Sequence, residues 1–166
     1  MIPIVSVVGK SDTGKTTLLE KLVKELTARG YRIGTIKHDA HSFEIDHPGK
    51  DSWRHKHAGA SVTIVSSPTK LALVADTDHD HTIAEIRDKF IRGVDLIITE
   101  GYKREVHAKI EVFRSELHKE LLCKEDENLV AIAGDPLNPP ESIPVFDINE
   151  PEPLCDFIEE QFLRQR

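Results

Sequence analysis

Between Gly9 and Thr16 the chain reads GKSDTGKT, a spacing that suits the cradling of phosphate oxygens. Gly9 and Gly14 stand where the backbone must turn sharply and approach a ligand closely, positions at which a Cβ would intrude. The loop's N–H groups, through Asp12 and Thr13, then converge as an anion nest, and the helix that follows adds the positive end of its dipole. Lys15 is placed to meet the β- and γ-phosphates as a compact charge, and the hydroxyl of Thr16 to ligate Mg2+. A chance glycine-rich turn is the competing interpretation. The apolar run before the motif and the amphipathic run after it speak against that, so the residues predict a nucleoside triphosphate with magnesium.

In an open parallel sheet the remaining parts of such a site lie just beyond the carboxyl ends of the strands. This rule nominates Lys37, His38 and Asp39 after one apolar run, Glu100 to Lys103 after a second, and Gly134 with Asp135 after a third. Glu100 follows VDLIIT, where an acid that holds magnesium, usually through water, is expected. A solvated acid at a strand end is the bland alternative. Asp39 is a second candidate acid, at the metal or beside the attacking water, against the alternative of an ordinary polar loop residue. The guanine-reading tetrapeptide Asn-Lys-x-Asp is absent. Asp135 is the residue nominated to accept from guanine N1 and N2, a donor pair that adenine lacks.

Nine histidines raise the question of a metal. His38 with His41, and His79 with His81, lie close in sequence, yet neither pair has a partner pair at zinc spacing. Cys123 and Cys155 lack metal or redox spacing and read as reduced thiols of a cytoplasmic protein. The single Trp53 reads as a packing residue of its helix.

These residues need elements to hold them. Ile2 to Val8 is a β-branched run suited to a strand covered on both faces, and Lys15 to Arg29 carries apolar residues at helical spacing, with Gly30 as the stop. Strands are expected at Tyr31–Lys37, Ser61–Ser66, Leu71–Ala75, Val94–Thr99, Lys109–Phe113, Leu129–Ala133 and Val145–Asp147. Helices are expected at Lys50–Gly59, Thr82–Ile91 and Leu154–Leu163. Asp39–Gly49 reads as a loop, the two strands around Pro68 as a hairpin, and the charged stretch Arg114–Asn128 as a surface excursion. The alternation predicts an α/β fold in one domain over 1–166: three layers, a mostly parallel sheet flanked by helices, plus a small β-hairpin excursion. A formal net charge of −7 with scattered cations argues against a nucleic-acid partner, and no stretch approaches the roughly 20 apolar residues of a membrane helix.

The phosphate loop, IKHDAHSFEIDHPGKDSWRHKHAGA from Ile36 to Ala60, and LIITEGYK from Leu96 to Lys103 together resemble the MobB family of molybdopterin-guanine dinucleotide biosynthesis adapter proteins. The resemblance spans almost the whole chain, weakening after about Phe113. It implies a P-loop GTP-binding fold, GTP and Mg2+ as ligands, weak GTPase activity and a homodimer. It also implies partnership with the guanylyltransferase that attaches GMP to molybdopterin, with molybdopterin itself as a further candidate ligand. Gly9, Gly14, Lys15, Thr16 and Thr17 match the family's phosphate and metal positions, and Glu100 with Gly101 its second acidic motif. His38, Asp46, Gly49, Lys50 and Asp51 fall in a segment the family keeps near the site. Two other readings stay open: a nucleotide-binding adapter without turnover, and a small-molecule synthetase or kinase of the dethiobiotin synthetase type.

Overall fold

The computed structural model describes residues 1–39 and 43–164, so His41 lies outside the described residues. In chain order the elements are β1 (Ile4–Val8), α1 (Lys15–Ala28), β2 (Ile33–Lys37), α2 (Asp51–His57), β3 (Val62–Ser66), β4 (Leu71–Ala75), α3 (Ile83–Phe90), β5 (Leu96–Glu100), β6 (Ala108–Phe113), β7 (Leu129–Gly134), β8 (Val145–Phe146) and α4 (Pro151–Ile158). The last helix runs on into a π-helical turn over Glu159–Leu163. Two compact units result, Met1–His38 with Ile83–Arg166, and Asp39–Thr82.

The first unit is built on a six-stranded sheet in the order β2-β5-β1-β6-β7-β8, with every neighbouring pair parallel. β1 is buried along its whole length, as its unbroken apolar character requires of a strand covered on both faces. From β1 the chain crosses through α1 to β2 on one side, and β6 later takes the other side of β1. The carboxyl end of β1 is therefore a topological switch point, where open sheets leave a crevice for a ligand.

Three apolar clusters cover the two faces. Leu18, Leu22 and Leu26 of α1 pack on Val5, Val7 and Ile98, together with Leu154 and Ile158 of α4. Each of these side chains, fully buried, stabilises by roughly 1.5–3 kcal/mol relative to exposure. On the opposite face, Ile83 of α3 meets Ile4, Ile36 and Ile97. Farther along that face, Val8, Phe113, Leu129 and Ile132 are covered by Cys123, which belongs to the helix-free stretch 114–128.

That stretch is more than the expected surface excursion. Glu111, only 1% exposed, accepts the N–H groups of Leu122 at 2.6 Å and Cys123 at 2.8 Å, while the buried Lys109 ammonium pairs with Asp126. The two charges of the KIEVF strand thus serve as posts that fasten a loop over the sheet. Buried charges persist when they are paired in this way.

Arg29, just past α1, ties that helix to the C-terminal one. It reaches Glu25 at 2.9 Å, Asp156 at 2.7 Å and Glu159 at 2.9 Å, and the Tyr31 hydroxyl donates to Glu159 at 2.8 Å.

In the second unit, β3 and β4 form the expected antiparallel hairpin, with Val62 opposite Ala75, Ile64 opposite Leu73 and Ser66 opposite Leu71. Val62, Ile64, Leu71 and Leu73 all remain exposed. The α2 helix has no buried residue. Trp53 is half-buried there and stacks on His57 one turn later, with ring centroids 3.8 Å apart.

Candidate nucleotide site

At the carboxyl end of β1 the loop turns on glycine. Gly9 has φ +147°, and a Cβ there would lie 2.6 Å from the Val112 carbonyl oxygen. Gly14, at φ +94°, is the N-terminal cap of α1, which carries no side-chain cap and no acid in its first turn. The N–H groups at the start of a 14-residue helix are thereby left for an anion. Asp12 takes a positive φ of 62° at the loop's crest, and Thr13 is fully buried with its hydroxyl donating to the Lys10 carbonyl at 3.0 Å. The Lys15 ammonium arches back to the same carbonyl at 2.7 Å. Thr16 and Thr17 are exposed on the first turn of the helix.

Glu100 ends β5 and stands opposite Val7 of β1 in the sheet register. The pairing of adjacent parallel strands brings this acid beside the phosphate loop. Across 84 positions of sequence, the Thr16 hydroxyl donates to Glu100 Oε1 at 2.9 Å. Glu100 Oε2 faces the Lys37 ammonium at 3.8 Å, and the Glu100 side chain is 14% exposed. A hydroxyl and a carboxylate in contact are hard oxygen donors of the kind Mg2+ prefers, so the residues present fit that ion. His38 donates its N–H to the Glu100 carbonyl at 3.1 Å, and its ring tilts against Tyr102 with centroids 4.8 Å apart. Gly101 at φ +96° and Tyr102 at φ +53° form the sharp turn that follows.

The ends of β6 and β7 complete this side of the first unit. Gly134, at φ +145°, passes so close to β6 that a Cβ would fall 1.8 Å from the Phe113 carbonyl oxygen. Asp135 comes next. Its carboxylate accepts the Ser115 N–H at 2.9 Å and the Ser115 hydroxyl at 2.6 Å. Those bonds, the hydroxyl's first, hold the Asp135 carboxyl below the usual carboxylate range. Arg114 precedes Ser115 and donates its Nε–H to the Thr13 carbonyl at 3.1 Å, so a residue 101 positions away holds the phosphate loop.

Arg114 opens the stretch expected as a surface excursion and is not among the residues the sequence nominates. The strand-end rule that nominated Glu100 and Asp135 applies to it equally, since it directly follows KIEVF. The strand-end rule names Lys37 without a role, and in the structure its ammonium faces Glu100.

The remaining nominated residues belong to the second unit, where Asp39 is exposed. Asp46 accepts the His47 N–H at 2.8 Å, and its carboxyl is held low first by the Ser52 hydroxyl and then by that N–H. Gly49 takes φ +87°, Lys50 caps α2, and Asp51 faces Arg54 at 3.7 Å. The His79 and His81 rings stack with centroids 4.3 Å apart, and Asp78 lies 2.6 Å from His79 Nδ1.

Residues 4–135 match the family model for MobB, molybdopterin guanine dinucleotide synthesis protein B. The chain is 40% identical over 173 aligned positions to the molybdopterin-guanine dinucleotide biosynthesis adapter protein of Escherichia coli K12, covering 99% of this chain and 96% of that one. To the Haemophilus influenzae protein of the same name it is 39% identical, over 95% and 88% of the two chains. Among solved structures, Bacillus subtilis MobB aligns with a TM-score of 0.77 at 29% identity, covering 97% of this chain and 98% of that one. A MobB homologue from Bacillus stearothermophilus aligns with a TM-score of 0.69 at 27% identity, over 98% and 99% of the chains. A family model over most of the chain thus agrees with a full-length likeness in sequence and in structure, and the chain belongs to the MobB family.

Proposed function

We propose that the chain binds GTP with Mg2+ at the Gly9–Thr16 loop and acts as an accessory protein in molybdenum cofactor maturation, hydrolysing the nucleotide slowly. The pathway role rests on family membership and on relatives named molybdopterin-guanine dinucleotide biosynthesis adapter proteins. The observation that carries the site is the 2.9 Å contact between Thr16 and Glu100, which joins the two candidate metal-holding residues beside the phosphate loop.

Gly9, Asp12, Thr13 and Gly14 shape the nest, Lys15 would exchange its bond to the Lys10 carbonyl for phosphate oxygens, and Thr16 with Glu100 would hold the ion. Magnesium, when bound, neutralises charge on the terminal phosphates. Glu100 already serves Thr16 and Lys37, so it is a holding group rather than a strong base. That supports slow turnover. Asp39, two residues beyond β2, is the residue we assign to positioning the attacking water. The second unit enters the chain as an insertion between β2 and α3, so we treat 1–166 as a single nucleotide-binding domain.

The partner in this reading is the guanylyltransferase that joins GMP to molybdopterin, with molybdopterin a further candidate ligand. A homodimer is supported by the exposed apolar face of the β3–β4 hairpin, since a lone two-stranded sheet is marginal in water. The two buried, free cysteines support a reducing, cytoplasmic setting. Single-turnover hydrolysis of GTP, with and without the guanylyltransferase, tests the proposal. Slow hydrolysis that responds to the partner supports it, and phosphoryl transfer to an acceptor other than water would replace it with a kinase or synthetase.

A further inference from the structure

At the carboxyl ends of β6, β7 and β8 lies a hollow of about 390 Å³ whose lining includes Arg114, Gly134, Asp135, Phe146 and Ile148. We infer that this hollow receives the base of the nucleotide and that Arg114, rather than Asp135, makes it prefer a 6-oxopurine. The inference rests on the reading that the neighbouring loop holds the triphosphate.

Arg114 and Ile148 each approach to 3.6 Å of the point where a Cβ on Gly14 would stand. The hollow therefore shares a wall with the phosphate loop, and its volume lies within the usual range for small-ligand sites. A base and a phosphate chain belonging to one nucleotide need two such adjoining seats.

Arg114 is the only cation among the described residues that line the hollow, which also holds the carboxylates of Glu116, Asp135 and Asp147. Its Nε–H is committed to the Thr13 carbonyl, and its terminal nitrogen is loosely placed, 3.7 Å from Glu116. The remaining N–H groups form a fixed fork, which matches the O6 and N7 acceptors of guanine. Adenine presents an amino donor at the same place, and a guanidinium cannot satisfy it.

Asp135 has a different task. Both of its oxygens are engaged by Ser115, the residue that follows Arg114. This brace fixes the backbone from which Arg114 projects, so Asp135 is a positioning residue that acts through Ser115. Because Arg114 also holds Thr13, a single side chain links the base seat to the phosphate seat.

The test is equilibrium titration of the full chain, with Mg2+, using GTP, ITP and ATP. ITP keeps O6 and N7 but lacks the 2-amino group. Wild type is expected to bind GTP and ITP alike and ATP about tenfold to a hundredfold more weakly, the discrimination of one bidentate contact. Arg114→Ala should bring GTP and ITP down to the ATP level. Arg114→Lys, which keeps the charge but loses the fork, should lose the preference as well, and an unchanged circular dichroism spectrum would show that the fold survives. Asp135→Asn should weaken the preference less. A GTP preference retained in Arg114→Ala, or an ITP affinity as low as that of ATP in wild type, overturns the inference and moves base reading to a carboxylate. Wild-type binding of none of the three would instead defeat the triphosphate reading itself.

Discussion

At the scale of single residues, the account turns on positions where one atom more or less decides the outcome. Gly134→Ala should be among the most damaging changes in the chain, because its Cβ would sit 1.8 Å from a backbone oxygen at a positive φ. A loss of at least 2–3 kcal/mol, about the cost of local backbone strain plus overpacking, is expected in chemical denaturation. A midpoint unchanged from wild type would contradict the close packing of β6 and β7. Asp135 makes a pH-dependent prediction. Its carboxyl is held low by the Ser115 hydroxyl and N–H, so the brace is fully present above the ordinary carboxylate value of about 4 and is lost as pH falls through the lowered one. The melting temperatures of wild type and Asp135→Asn should therefore differ at neutral pH and converge in acid. A difference that stays constant across that range would show that the brace carries no charge. Candidate residues were readable where the pattern is local: the GKSDTGKT loop and the strand-end acid Glu100 stand out from spacing alone, and the structure places them in contact through Thr16. Arg114 does not stand out, since its role comes from a backbone carbonyl 101 positions away that no spacing reveals.

At the scale of elements, strand and helix periodicity placed the eight strands and four helices of the described residues within a few residues, because apolar runs and amphipathic stripes are local signals. The stretch 114–128 was harder. Its charged composition argued for solvent, whereas the posts that fasten it, Lys109 and Glu111, lie within a neighbouring strand and have partners that sequence does not show. Glu111→Ala should leave the buried Cys123 N–H without its acceptor, at a cost of about 1–3 kcal/mol, and take the acceptor from the part-buried Leu122 N–H as well. Protease cleavage within 119–127 should accelerate, and an unchanged cleavage rate would mean that the loop is held elsewhere. Beneath that loop, burial raises the Cys123 thiol to about 11, and in α4 it raises Cys155 to about 12. Both thiols are then protonated at neutral pH and should resist alkylation until the chain unfolds. Rapid native-state labelling of either would place it nearer solvent than described.

At the scale of the whole molecule, the sheet order sets the Gly9–Thr16 loop, at the end of β1, between β5 and β6, and the proposed nucleotide site is built around that placement. The α/β class was legible in the alternation of elements. Which strands neighbour β1 was not, because parallel pairing is a long-range choice that the local pattern leaves open. The second unit presents an apolar hairpin face, and Ile64→Glu should shift the proposed dimer toward monomer in analytical ultracentrifugation. A monomeric wild type would remove that part of the proposal. The central claim is that the Gly9–Thr16 loop, with Glu100, holds a nucleoside triphosphate and its magnesium. Calorimetric titration of wild type and Lys15→Ala with a non-hydrolysable GTP analogue, with and without Mg2+, tests it most directly. The account predicts binding by wild type that weakens when Mg2+ is withheld and disappears in Lys15→Ala while the fold is retained; undiminished affinity in Lys15→Ala would contradict it.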